Sequence, residues 1–400
     1  VAEDKTMSPL PGNRIYLDHA ATTPVDPRVL DAMRPFLEGA FGNPSSLHWW
    51  GREAKKALDG ARVTVARCLS AKPEEIIFTS GATEADNLVI FGVTQALESR
   101  GKHLITTSIE HAAVANACEV LQSQGWDVTW LPVDAEGFVS VDAVQAALRP
   151  ETALVSIIHG NNEIGTIQPV EAIGEMLRAR GVLFHIDAVQ TVGKLPIALD
   201  TLPVDYLTLS AHKIYGPKGV GVLYVRSGAP VPVPMVVGGG QEGNLRSGTE
   251  NLPGIIGLVQ ALALAVDMMP DETLRLRALQ EAFIADVLVN IPDAVLNGPR
   301  DVSRRVPGNV HFSFPPGEGE ALVLHLDLKG IAASSGSACH SAVIEPSRII
   351  KALGKSDDIA RATVRFSLGR STTREDLSRV MAILPEVVGR FRKKAQPSTP

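Results

Sequence analysis

The chain has 400 residues, 38 of them basic and 44 acidic, with 45% hydrophobic residues and three cysteines. That length gives room for two or three domains around a sizeable core, and the globular balance excludes disorder, collagen-like repeats and low-complexity architecture. The formal charge of −6 argues against nucleic acid as a direct partner, and an odd set of scattered cysteines (Cys68, Cys118 and Cys339) builds no disulfide framework and fits a reducing, cytoplasmic setting.

The first residues carry charge but no apolar run of signal-peptide length, so no secretory signal is expected. From about residue 75 to residue 226, short apolar runs begin at Glu75, His103, Ala153, Val182, Asp205 and Val220, with amphipathic stretches between them. That alternation predicts βαβ units and an α/β fold with a mostly parallel sheet. The stretch from Gln168 to Gly181 is a helix signalled at both ends: a proline near its start, apolar residues at Val170, Ile173 and Leu177, and a closing glycine. The longest apolar stretch, Ile255 to Met269, is interrupted by Gly257, Gln260 and Asp267 and is too short to span a bilayer. It reads as a buried helix, so no membrane partner is expected. It lies in a helical tract from Gly254 to Val289, with an interruption expected near Pro270, and strands around Asn309 and Thr363 follow. A second, smaller α+β domain is therefore expected after Pro253, joined by the N-terminal segment: 22–262 for the large domain, 1–21 plus 263–400 for the small one.

The candidate chemistry follows the same order. Thr79-Ser80-Gly81-Ala82-Thr83-Glu84 leaves a strand and opens a helix, so its amides and the Thr83 hydroxyl form a phosphate cup. The loop lacks both GxGxxG and the GK(S/T) of a P-loop, which points to one phosphate rather than a dinucleotide or a nucleoside triphosphate. Another strand ends in Asp187, with Gln190 three residues on. Asp187 is either a helix cap or a carboxylate for a protonated heteroaromatic nitrogen, with Gln190 available to a ring substituent. Ser210-Ala-His212-Lys213 closes a further strand ahead of a Gly/Pro-rich loop. Lys213 is either an ordinary loop lysine or one projected into the cleft at the end of the sheet. A lysine for a Schiff base, an acid for a pyridinium and a helix start for one phosphate are the three needs of pyridoxal 5′-phosphate. Near the end, a period of two puts Val364, Phe366 and Leu368 on one strand face and Arg365 on the other, as a solvated arginine or a bidentate grip for a carboxylate.

The segments LDHAATTPVDPRV, FTSGATEADN, HGNNEIG, HIDAVQTVGKLPI, LSAHKIYGPKGVG, RSGTEN, SSGSACHSA and VRFSLGR, spread over about residues 15 to 390, resemble those of the NifS/IscS-like cysteine desulfurases. These are fold-type I pyridoxal-phosphate enzymes of the class V aminotransferase family. The resemblance implies that Lys213 carries the cofactor, Asp187 partners its pyridine nitrogen and Gln190 its ring hydroxyl. It implies that His111 stacks on the ring and handles protons, and that Ala82, Thr83, Ser210 and His212 hold the phosphate. Thr249 would reach the phosphate of a neighbouring subunit, hence a homodimer with shared sites. Asn162 and Arg365 would select the substrate. The implied activity converts L-cysteine to L-alanine and leaves a persulfide on Cys339, whose sulfur passes to an acceptor protein such as an iron–sulfur cluster scaffold.

The thiols choose among the reactions that such a cofactor site supports. Cys68 lies beside a helical stripe of Leu58, Ala61, Val65 and Leu69, and Cys118 is four residues after Val114 and three before Leu121, so both read as packing residues. Cys339 lies in a Ser/Gly-rich segment without apolar period, suited to a nucleophile that enters the site and swings out, or else an incidental thiol in a connector. The family commonly has Thr after this cysteine, whereas this chain has His340, whose role is open. The R-x-G-H-H-C motif of the related short-loop group is absent. A pyridoxal-phosphate β-lyase or aminotransferase is the competing reading. A non-enzymatic cluster-assembly scaffold would have no need of Lys213.

Overall fold

A computed structural model of the chain describes residues 14–336 and 346–395. In chain order these form β1 (Ile15–Tyr16), α1 (Pro27–Glu38), α2 (Trp49–Cys68), β2 (Ile76–Thr79), α3 (Ala82–Ala96), β3 (His103–Thr107), α4 (Ala112–Ser123), β4 (Asp127–Leu131), α5 (Val141–Ala147), β5 (Thr152–Ile158), α6 (Val170–Ala179), β6 (Leu183–Asp187), β7 (Tyr206–Ser210) and β8 (Gly221–Val225). Then come α7 (Leu252–Asn290), β9 (Val295–Leu296), β10 (Asn309–Ser313), α8 (Gly319–Leu328), β11 (Ile331–Ala332), α9 (Arg348–Ala352), α10 (Asp357–Arg361), β12 (Thr363–Ser367) and α11 (Arg374–Ala395).

Seven strands make the main sheet, in the order β2-β8-β7-β6-β5-β3-β4. Within it β8 alone runs against its neighbours, so the sheet is mostly parallel, as the alternation predicts. Both faces are covered, and the period of two sorts the side chains. Ile105, Val155, Phe184, Ile186, Leu207 and Val222 pack with α2, α6 and the first half of α7. Leu104, Leu154, Leu183, Tyr206 and Leu223, one residue out of phase, pack with α3 and α4. His185 and Asp187 share the face of Leu183 and so point towards α3 and α4. The strand order reverses where β5 meets β3, and such a switch opens a crevice beyond the carboxyl ends of parallel strands.

A separate core joins Ile15 and Leu17, the second half of α7, β10, β12, α8 and α11. There β12 pairs antiparallel with β10, and β1 pairs in parallel with β11. Val364, Phe366 and Leu368 enter this core, which leaves Arg365 on the opposite face. The expected interruption near Pro270 is absent: α7 runs unbroken for 39 residues with Pro270 inside it. Pro270 lies on an exposed side of the helix, where water can serve the carbonyl that lost its donor. The β4 strand lies outside the predicted set; it is one of the two edge strands of this sheet, and its pattern of exposed, buried and half-buried residues carries little apolar signal.

Candidate active site

The carboxyl ends of β2, β3, β5, β6 and β7 open onto one cavity of about 600 Å³, a size suited to a small cofactor with its substrate. Lys213 stands one turn beyond β7, and its Nζ donates to the carbonyls of Ala20 and Ala21, each at 2.7 Å. Burial is the main force lowering its amine to about 8, and Arg365 adds to it, while Asp18 and Asp187 pull the other way.

Asp187 ends β6, is buried, and faces the cavity. Its Oδ1 accepts the Val189 amide at 2.9 Å, a turn contact rather than the helix cap that the sequence allows, since no helix starts between β6 and β7. Burial pushes its carboxyl up, against the pull of His111 and Lys213. Gln190 donates from Nε2 to the Ala20 carbonyl at 3.0 Å, which ties it to the same backbone atom as the lysine. His111 caps α4: its Nδ1 accepts the Ala113 amide at 3.1 Å. The backbone bond and the cavity-facing position therefore coexist, and the neutral ring must carry its proton on Nε2. It lines the cavity, and burial, helped by Lys213 and Arg348, lowers its pKa despite Asp187 nearby.

On the same cavity wall α3 begins at Ala82, directly after Gly81, which has φ +154°. A Cβ on Gly221 would come within 2.8 Å of the Gly81 Cα, so only glycine lets β8 lie this close to the loop. Ala82, Thr83, Ser210 and His212 all line the cavity. His212 is lowered to about 4 by burial and then by Lys213 and Lys218, so it acts as a neutral donor or acceptor. Glu84 reaches back to the Ser80 amide at 2.9 Å and pairs with Arg246 at 3.0 Å.

Arg365 comes in from the smaller core. It is 7% exposed, which excludes a solvated surface arginine. Nη1 donates to the Asn162 carbonyl at 2.8 Å and Nη2 to Asp18 Oδ1 at 2.9 Å. Among the described residues its Nε and the Asn162 Oδ1 are buried without hydrogen-bond partners, a donor and an acceptor free for a polar ligand. Asp18 escaped the sequence reading, although it lies in LDHAATTP; so did Asp86, three residues after Thr83, and Glu110, directly before His111.

Thr249 is exposed and lies outside the cavity lining. Cys68 is half-buried at the end of α2 and Cys118 fully buried in α4; burial pushes both thiols up, and neither lines the cavity. Cys339 and His340 lie outside the described residues.

Known proteins bear on this geometry. The aminotransferase class-V family matches residues 15–380. A protein named cysteine desulfurase IscS from Dictyoglomus turgidum is 49% identical over 378 residues, covering 94% of this chain and 95% of that protein. A solved structure described as a NifS-like protein superposes with a TM-score of 0.88 at 37% identity, covering 94% of this chain and 99% of that one. Another, described as SspA in complex with cysteine, gives 0.77 at 39% identity, covering 88% and 98%.

Proposed function

The chain belongs to the aminotransferase class-V family, and from that premise we propose that it is a pyridoxal-phosphate-dependent cysteine desulfurase that supplies sulfur for iron–sulfur cluster assembly. The observation that carries the reading is the single cavity joining Lys213, Asp187, the start of α3 and Arg365. The names of its relatives select desulfuration among the reactions such a site supports.

The residues fit the cofactor. Asp187 would hold the ring nitrogen, Gln190 the ring hydroxyl, His111 one ring face, and Ala82, Thr83, Ser210 and His212 the phosphate, with Lys213 as the attachment point. When bound, pyridoxal phosphate supplies an electron sink for the substrate α-carbon. The unpartnered Arg365 Nε and Asn162 Oδ1 match the α-carboxylate and a substrate N–H, so these two residues orient L-cysteine. Lys213, with its amine lowered to about 8, takes the α-proton as a neutral base and later returns a proton. His111, with its proton on Nε2, serves as the shuttle. The Cys339 thiolate attacks the substrate sulfur; the sulfur–Cβ bond breaks, its electron pair stays with the carbon side, and protonation there gives the methyl group of L-alanine. Sulfur remains on Cys339 as a persulfide for an acceptor protein, such as a cluster scaffold, in the cytoplasm. The working unit is a homodimer in which Thr249 reaches the neighbouring phosphate.

Mass spectrometry after L-cysteine should find one added sulfur on Cys339 with free alanine in solution. Cys339→Ala should lose both, and Lys213→Ala should lose about 10² to 10⁴ in rate. Sulfur on Cys68 or Cys118, undiminished alanine from Cys339→Ala, or pyruvate in place of alanine would overturn the reading.

A further inference from the structure

One carboxyl group behind the cavity has no part in this chemistry. Asp86, in the second turn of α3, is 1% exposed and lines the cavity, yet among the described residues neither of its oxygens has a well-formed hydrogen bond, the Thr208 hydroxyl being only near enough to favour its charged form a little. His185 and Asp187 face it from β6, Thr208 from β7, and Glu110 from the connection between β3 and α4. His185 Nε2 lies 3.6 Å away but is no counterion. That ring is shared with the hydroxyls of Ser156 at 2.8 Å and Thr208 at 3.0 Å, and burial lowers it to about 3. Glu110 is held on Oε1 by the Thr107 hydroxyl and the Ile158 amide, its Oε2 is unpartnered, and burial pushes it up to about 8. The cations that act on this cluster, Lys213 and Arg348, act on Asp187 and Glu110. Three buried carboxyls with so little compensation cannot all ionise, and Asp86, which has the weakest hydrogen bonding of the three, carries the largest penalty for its charged form.

We propose that Asp86 is a positioning residue that stays a neutral carboxylic acid in the holoenzyme, leaving Asp187 as the single negative charge presented to the ring nitrogen. The inference rests on the assignment of Asp187 to that nitrogen. A neutral Asp86 has an O–H to donate within its polar cluster, which braces Asp187. An ionised Asp86 would instead place a second negative charge behind the ring and raise the proton affinity of every cofactor group that protonates.

Infrared difference spectra of the holoenzyme against Asp86→Asn should contain the carbonyl stretch of a protonated carboxylic acid that the variant lacks. The pH midpoint of the bound cofactor's visible band should be the same in both proteins. Asp86→Ala should bind pyridoxal phosphate about tenfold more weakly, as expected when the proposed donor in the polar cluster is removed, and Asn, which keeps a donor, should restore it. Absence of the carboxylic-acid band, or a midpoint about one unit lower in Asp86→Asn, overturns the proposal. Failure of the wild-type chain to take up the cofactor would instead overturn the functional reading, and the infrared band would still decide the state of Asp86.

Discussion

Lys213 meets two demands that conflict in water, where a lysine of pKa 10.5 is almost wholly protonated near neutrality and so a poor nucleophile. Burial and the nearby Arg365 bring the amine to about 8. Only the neutral amine reacts, so a lowered pKa moves reaction to lower pH. Capture of pyridoxal phosphate by the cofactor-free chain, followed by its visible band, should rise through a midpoint of about 8. Arg365→Gln should move that midpoint upward, because it removes a cation and frees Asp18 to favour the ammonium form. A midpoint near 10.5, or none of the expected movement in the variant, would contradict this account. Lys213, Asp187 and Gln190 were legible in the sequence because each sits at a strand end beside recognisable turn chemistry. Asp18 was not, since its meaning lies in a partner 347 residues away. Asp86 and Glu110 were hidden for a related reason: an acid on a helix or before a cap reads as a surface residue until the fold buries it.

The two faces of β12 illustrate how far an element can be read from its pattern. The period of two separated Arg365 from Val364, Phe366 and Leu368, and the fold uses both faces, one for the cavity and one for the core. Phe366 is fully buried and meets Phe283 of α7 edge to face, with ring centroids 5.3 Å apart. Phe366→Ala should cost about 3–5 kcal/mol of stability in denaturant unfolding, with the KM for L-cysteine unchanged in the fraction that remains folded. A loss below about 1 kcal/mol would mean that the β12 face is not tied to α7 as described. The strands with continuous apolar runs were legible because both their faces are buried, and this holds even for β2 at one edge of the sheet. The edge strand β4 was not, having too little apolar surface to bury. The break expected at Pro270 shows the opposite error, a local breaker overruled by tertiary packing at both ends of α7.

For the whole molecule, order along the chain was more legible than assembly. The mostly parallel sheet and the smaller α+β core follow from the alternation of elements, whereas an interface leaves no period in a sequence. Large apolar side chains stay exposed on the single chain, among them Leu47 at 90% and Val237 at 81%, and Thr249 stands on the surface as well. Sedimentation of the purified protein should give a particle of twice 42.6 kDa, and Thr249→Ala should weaken retention of pyridoxal phosphate without dissociating it. A monomer that retains the cofactor fully would exclude shared sites. One contact already described reaches across this scale. Ala20 and Ala21, whose carbonyls receive the Lys213 amine, are separated by two residues from Leu17, which with Ile15 of β1 belongs to the smaller core. The lysine amine is thus berthed on the segment that leads out of the smaller core, where two carbonyl acceptors favour its protonated form. Any shift of one core against the other would thus change how readily that amine gives up its proton.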